Sequence, residues 1–169
     1  TMPDKIRTLA SELLNNPFEI SISMSKPVEG VLQAVFLVND NQKTSLINSL
    51  IADKPEYKSI LLFTSRKSKV REIVSSLKGK GYTVEGISSD LEQKEREEVL
   101  LRFKSRKTRV LVATDVLSRG IDVKDINLVI NFNVPNDAED YVHRIGRTAR
   151  AETTGVALTL VNEEEMYNF

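Results

Sequence analysis

The stretch "LEQKEREEVLLRFKSRKTRVLVAT" (91–114) joins a charged segment to a continuously apolar one. In its first part, Val99, Leu100 and Phe103 recur at helical spacing among charged residues, which predicts an amphipathic helix. Its last residues, 109–114, are nearly all apolar and β-branched or small. Such a run is typical of a strand in a parallel sheet that is covered on both faces. The stretch therefore predicts a helix followed by a buried strand.

The same alternation continues in both directions along the chain. Strands are predicted at 33–38, 59–63, 82–87, 109–114, 126–132 and 155–161, and helices at 42–53, 67–77, 91–104 and 138–146. Strands and helices that alternate at this spacing form βαβ units with right-handed crossovers. We therefore expect an α/β fold, a three-layer α/β/α domain with a doubly wound, mainly parallel sheet.

The first residues are less regular. Residues 3–14 have a helical pattern, and prolines at 17 and 27 then interrupt the chain. We expect a lead-in over 1–32 and a single domain over 33–169.

Composition limits the classes of function. Basic and acidic residues number 24 each, there is no cysteine, and there is one histidine. Disulfides and thiolate metal sites are excluded, and a protein zinc site is not expected. Zero net charge argues against a general polycation but allows a local basic track. No apolar run has the length of a membrane span, and the N-terminus lacks the apolar region of a secretory signal. We expect a cytoplasmic, monomeric domain without membrane attachment.

Ligands of such sheets bind at the carboxyl ends of the strands. The segment "DVLSRGID" (115–122) follows the apolar strand directly. Asp115 could hold Mg²⁺ in a nucleotidase, or it could cap a turn and pair with an arginine. The phosphate cradle G-x-x-x-x-G-K-[ST] that nucleotidase chemistry needs is absent from this sequence, and both readings of Asp115 stay open.

The segment "HRIGRTAR" (143–150) holds the only histidine and three arginines. If the preceding helix continues, His143, Arg147 and Arg150 share one face while Arg144 points elsewhere. Arginine suits bidentate contact with phosphate or carboxylate. The alternative is a solvated basic face.

Two more basic groups lie at strand–helix junctions, "RKSKVR" (66–71) and "RFKSRKTR" (102–109). On one edge of the sheet they could follow a nucleic-acid backbone, and Ser65 or Ser68 could cap the helix that begins there. Aromatic residues make up 6% of the chain and do not interleave with these groups, which favours backbone contact over base stacking.

Together these motifs resemble those of the DEAD-box ATP-dependent RNA helicases. "ATDVLSRGID" (113–122) and "HRIGRTAR" are similar to the fifth and sixth motifs of that family, "QKER" (93–96) to its Q-x-x-R element, and "LLF" (61–63) to the strand of its fourth motif. Their order and spacing match as well. The chain resembles the second RecA-like domain. The resemblance implies that the phosphate cradle and the carboxylates for Mg²⁺ belong to the first, N-terminal RecA-like domain.

The resemblance implies a role for each matching residue at an ATP–Mg²⁺ site between the two domains. Arg147 and Arg150 would be arginine fingers on the γ-phosphate. Asp122 would bind the ribose hydroxyls, and Gly120 would let the backbone approach the nucleotide. His143 would couple the nucleotide site to the RNA site.

For RNA, the resemblance implies contacts to the sugar-phosphate backbone. These would come from Thr114, Arg119, Gly120 and Arg96, with Gln93 orienting the loop. Such contacts make binding of single-stranded or duplex RNA independent of sequence. Asp115 and Arg144 would then pair to shape the site.

The sequence departs from the family pattern at several positions. Ser88 and Ser89 stand where His-Gly is usual, and Arg66 stands where threonine is common. We expect the full-length protein to use ATP to unwind RNA locally or to remodel ribonucleoprotein, and the isolated domain to be inactive. A binding module without ATP chemistry is the alternative. A flavodoxin-type phosphate domain is a weaker one, because "VNDNQK" (38–43) offers no glycine for a phosphate loop.

Overall fold

A computed structural model describes residues 8, 30–114, 123, 126–148 and 155–168. The helix predicted at 3–14 and most of the lead-in lie outside these residues. The elements are β1 (Val31–Leu37), α1 (Asp40–Ile51), β2 (Ile60–Thr64), α2 (Lys67–Gly79), β3 (Val84–Ile87), α3 (Gln93–Lys104), β4 (Val110–Thr114), β5 (Leu128–Asn131), α4 (Ala138–Ile145), β6 (Gly155–Val161) and a short 3-10 helix, Glu165–Asn168.

The six strands form one sheet in the order β1-β6-β5-β2-β4-β3, and every described pair is parallel. Strands β2, β4 and β5 are buried along their whole length. This is why their sequences are continuously apolar, since neither face meets water. The predicted doubly wound α/β sheet is confirmed.

Helices cover both faces of the sheet. On one face, α1 and α2 pack through Ile47, Ile51, Ile73 and other apolar residues against alternate side chains of the strands. On the other face, α3 contributes Val99 and Phe103 and α4 contributes Ile145. The domain therefore has the expected three layers.

Strand β1 lies at the edge of the sheet and begins at Val31, two residues before the predicted start. Gly30, with φ of 82°, precedes it in a backbone conformation that favours glycine. Leu32, Val35 and Leu37 of this edge strand are exposed.

The basic group at 102–109 lies where α3 leads into β4, at the amino edge of the sheet. The group at 66–71 lies where β2 leads into α2, at the opposite, carboxyl edge. The two groups therefore do not share an edge, and one backbone track along both is ruled out.

Two arginines of the amino-edge group bond within the domain. The guanidinium of Arg102 donates to both carboxylate oxygens of Glu85 at 2.8–3.1 Å. That of Arg109 donates to the carbonyls of Ile51, Lys54 and Tyr57, just past the end of α1. A cation there complements the helix dipole. These two side chains stabilise the fold.

Glu85 gives domain stability a pH dependence. Partial burial raises its pKa, but hydrogen bonds from Arg102 and Thr108 and the charge of Arg102 outweigh that effect and hold the pKa below its usual 4.5. Because the folded-state pKa is the lower one, the stabilisation is complete above the unfolded pKa and is lost as pH falls through the folded one.

We therefore expect Glu85→Gln to lower the midpoint of urea unfolding at pH 7 and to change it progressively less as the pH falls below 4.5. The check is a series of urea titrations between pH 7 and pH 3. A difference between wild type and variant that stays constant across this range would contradict the assignment.

Candidate functional site

Several strands end in polar residues at the carboxyl edge of the sheet. Since all described strands are parallel, Thr64 of β2, Thr114 of β4 and Asn131 of β5 end on the same side. All three are at least nine-tenths buried. The starts of α2 and α3 lie on this edge too, and so does α4, which follows β5.

Helix α4 is fixed at its start and along its length. The side chain of Asp137 caps it by accepting a hydrogen bond from the Asp140 amide at 2.7 Å. The Tyr141 hydroxyl donates to Gln33 of β1 at 2.7 Å. Ile145 is buried in the core. The helix is thus attached to both the edge and the centre of the sheet.

Arg144 is 1% exposed and is among the largest fully buried side chains. Its Nη1 donates to Asn131 Oδ1 at 3.1 Å and to the Asn133 carbonyl at 3.0 Å. The guanidinium also lies 5.3 Å from the centre of the Phe63 ring. Arg144 therefore joins α4 to β2, to β5 and to the loop after β5.

The helix ends at Ile145, within one residue of its predicted end. The amides of Arg147 and Thr148 then bond to the carbonyls of Arg144 and Ile145 in a tighter turn. The helix therefore does not continue to Arg147, and His143 and Arg147 do not share a helical face. Arg147 lies one turn beyond the helix and is half-buried.

Thr148 fixes the chain just after Arg147. It is fully buried, and its hydroxyl donates to the Ile126 carbonyl at 2.7 Å. A Cβ on Gly155 would lie 2.2 Å from the Thr148 carbonyl oxygen, so the start of β6 requires glycine for this close approach. The turn that carries Arg147 is therefore held in place by the contacts of Thr148.

His143 lies on the more exposed side of α4. Its side chain is 40% exposed, and Nδ1 is 4.0 Å from Glu139 Oε1, one turn earlier. This separation exceeds a hydrogen bond and allows an ion pair only when the imidazole is protonated.

Gln93 and Arg96 interact at the start of α3. Arg96 Nη1 donates to Gln93 Oε1 at 3.2 Å, and Nη2 lies 3.4 Å from the Leu91 carbonyl. Within the described residues, the Arg96 Nε is buried without a hydrogen-bond partner. Gln93 therefore holds the guanidinium, and the contact to the loop before α3 comes from Arg96 itself.

The loop between β3 and α3 is tied to α2. Asp90 pairs with Lys67 at 2.8 Å and with Arg71 at 2.5 Å. These hydrogen bonds hold the pKa of the Asp90 carboxyl below its usual value. Ser88 is buried and Ser89 is exposed.

The residues proposed to cap α2 do not do so. Arg66 is the N-cap residue, and no side chain caps the helix. The Ser65 hydroxyl instead donates to Asn133 Oδ1 at 3.2 Å.

Five predicted site residues lie outside the described residues: Asp115, Arg119, Gly120, Asp122 and Arg150. Elsewhere in the chain, over the residues that the structure does describe, no three His, Asp or Glu side chains are placed to hold a metal ion. No helix in that same part of the chain has the length and apolarity needed to cross a bilayer.

Side chains that are distant in the sequence connect this edge, and the sequence pattern did not predict them. Glu165 accepts hydrogen bonds from both Lys43 and Asn133. A residue-by-residue pattern carries no information on such contacts. A lysine on the apolar side of predicted helix 42–53 was the one available hint.

The chain is similar to known proteins over nearly its whole length. The model of the helicase conserved C-terminal domain matches residues 42–152. The DEAD-box ATP-dependent RNA helicase CshA of Geobacillus kaustophilus is 39% identical over 98% of this chain and 36% of its own length. The ATP-dependent RNA helicase DBP2 of Saccharomyces cerevisiae is 38% identical over 97% of this chain and 31% of its own. The chain thus spans roughly a third of these relatives.

Solved structures agree in fold. A DEAD box protein from Methanococcus jannaschii has a TM-score of 0.78 and 38% identity, over 99% of this chain and 45% of that one. S. cerevisiae Dbp5 bound to RNA and ADP BeF3 has a TM-score of 0.82 and 26% identity, again over 99% and 45%. The chain belongs to the DEAD-box RNA helicases and forms their C-terminal, RecA-like domain.

Proposed function

We propose that this chain is the second motor domain of an ATP-dependent RNA helicase and supplies half of an ATP site and half of an RNA site. The observation that carries the proposal is the carboxyl edge, where a supported turn carries Arg147, and where Thr114 ends a strand and Arg96 lies in the first turn of a helix. Both sets of side chains would face a first domain placed over that edge.

The side chains at the edge suit an anion better than a metal. Arg147 and His143 are cationic or potentially cationic donors, and acidic side chains of the described chain form no metal-binding group there. Arg147, with Arg150, would bind the γ-phosphate. Asp122 and Gly120 would hold the ribose and the nearby backbone. Bound ATP supplies the phosphoanhydride bond whose hydrolysis drives the cycle, and the first domain would hold Mg²⁺.

The RNA half of the site is proposed on Arg96, Thr114, Arg119 and Gly120. Gln93 orients the Arg96 guanidinium by accepting a hydrogen bond from its Nη1. The similarity to Dbp5, whose structure contains RNA and ADP BeF3, supports this assignment. Contacts to phosphates make the affinity for RNA fall with salt.

Closure of the two domains would bring the two half-sites to their ligands together. His143, four residues before Arg147 and on the more exposed side of α4, would couple the nucleotide and RNA sites. Closure around a bent strand disfavours a duplex, and reopening after hydrolysis releases it, in a hinge motion between rigid domains. Local unwinding or remodelling of ribonucleoprotein in the cytoplasm would follow. A binding module without ATP chemistry is the alternative, and the arginines of the sixth motif weigh against it.

The 169-residue chain alone is expected to bind ATP weakly and not to hydrolyse it, because the cradle and the carboxylates for Mg²⁺ would come from the first domain. Phosphate release should be measured with ATP, Mg²⁺ and RNA for the chain alone and for the two-domain protein. Only the two-domain protein should hydrolyse ATP. Turnover by the purified chain alone would refute the half-site proposal, and an inactive two-domain protein would favour the binding module.

A further inference from the structure

A fully buried lysine lies at the carboxyl edge beside the proposed site. Lys43 of α1 is 0% exposed, and its Nζ donates to Glu165 Oε2 at 2.7 Å and to the Phe132 carbonyl at 2.9 Å. Asp40 Oδ1 is 3.0 Å from the same nitrogen. Nothing in the proposed mechanism uses this charge.

The other oxygen of Glu165 extends the contact to the loop before α4. Glu165 Oε1 accepts hydrogen bonds from Asn133 Nδ2 at 2.9 Å and from the Val134 amide at 3.3 Å. Asn133 Oδ1 accepts from the hydroxyls of Thr64 and Ser65 at 3.1 and 3.2 Å. One carboxylate therefore links α1, the 3-10 helix, the end of β2 and the β5–α4 loop. We call Lys43, Glu165 and Asn133 the brace.

The brace also reaches α4. The Asn133 carbonyl accepts the hydrogen bond from Arg144, and the α4 cap, Asp137, follows four residues later. The loop that the brace fixes therefore contacts α4 both along the chain and through the guanidinium of Arg144. A displacement of this loop would move Arg147, which lies one turn beyond α4.

We propose that Glu165 and Asn133 are positioning residues for Arg147, with Lys43 holding the Glu165 carboxylate in place. The inference rests on the proposed function of Arg147. A buried ion pair contributes little net stability, because the cost of removing two charges from water offsets their attraction. The hydrogen bonds of Glu165 and Asn133, by contrast, are directional and hold the loop in one position. Catalysis depends on such positioning, because a displacement of about 1 Å can lower the rate on the order of 100-fold.

The test uses the two-domain protein and compares kcat with stability. Glu165→Ala removes the carboxylate, and Asn133→Ala removes the side-chain link from Glu165 to the end of β2 while leaving the Lys43–Glu165 pair and the Val134 amide contact intact. Both are expected to lower the kcat of RNA-stimulated ATP hydrolysis about 10-fold, since a 1 Å displacement costs on the order of 100-fold. The KM for ATP and the affinity for RNA without nucleotide should stay within about twofold, because these ground-state contacts are made elsewhere.

Leu77→Ala is the matched control, because Leu77 is buried at the far end of α2, on the amino edge. It should lower the unfolding temperature more than Asn133→Ala and leave kcat near the wild-type value at a temperature where both are folded. If Glu165→Ala does not fold, Asn133→Ala still decides the matter.

The kcat values of these variants decide whether the brace positions Arg147. A kcat for Asn133→Ala no lower than that for Leu77→Ala overturns the positioning role, provided that Arg147→Ala abolishes turnover in the same assay. If Arg147→Ala is as active as wild type, the proposed function of Arg147 has failed and the positioning role falls with it. A kcat loss in both brace variants but not in Leu77→Ala supports the role.

Discussion

Arg147→Ala in the two-domain protein is expected to lower RNA-stimulated ATP hydrolysis by about 10³-fold or more, the usual effect of losing an arginine finger. The guanidinium would stabilise charge that develops on the γ-phosphate in the transition state. The turn that carries it is supported by Thr148 and by the amide bonds after α4, so the alanine variant should fold normally. The expected signature is a fall in kcat measured by steady-state phosphate release.

Lys104→Ala is the control for loss of a positive charge. Lys104 is exposed at the end of α3, on the amino edge, and its removal should leave turnover unchanged. Equal rates of ATP hydrolysis for Arg147→Ala and wild type would contradict the assignment of Arg147 as an arginine finger. Equal losses for both variants would point to a general effect of charge on RNA binding.

Arg144→Ala is expected to reduce the free energy of unfolding by about 2–5 kcal/mol, as is usual when a large buried side chain is truncated and buried acceptors lose their donor. Asn131 Oδ1 and the Asn133 carbonyl would lose their donor, and the Phe63 ring would lose the guanidinium packed against it. Truncation also leaves a cavity under the carboxyl edge. Urea unfolding of the 169-residue chain measures this loss.

Arg71→Ala is the comparison for Arg144. Arg71 also forms an ion pair, with Asp90, but its side chain is 74% exposed and an exposed pair contributes little. A midpoint of urea unfolding for Arg144→Ala as high as that for Arg71→Ala would mean that the contacts of Arg144 do not stabilise the domain.

The fold could be predicted from the sequence because burial leaves a local pattern. Strands β2, β4 and β5 read as apolar runs since both faces are covered, and their predicted bounds lie within two residues of the observed ones. The path of the chain after α4 was not predictable in the same way. The sequence after Ile145 remains compatible with a helix, and the turn there depends on Thr148, which bonds to the distant Ile126 carbonyl.

The sequence motifs of the candidate site could be recognised, but the residues that hold their side chains in place could not. The arginines of "HRIGRTAR" look alike in sequence, yet Arg144 is buried and Arg147 is not, a difference set by Asn131 and Asn133 across the sheet edge. The basic group at 102–109 leads from a helix into a strand, whereas the group at 66–71 follows a strand. In a parallel sheet this order places them at opposite edges, so a common nucleic-acid track would have required a different strand direction.

The central claim is that this edge holds half of an ATP site and half of an RNA site. The most direct test measures the affinity of the two-domain protein for single-stranded RNA, with and without a non-hydrolysable ATP analogue. Closure around both ligands predicts that the analogue tightens RNA binding by about 5–150-fold, the usual range of coupling between two sites. Arg147→Ala should lose most of that gain. Identical RNA affinities with and without the analogue would contradict the account.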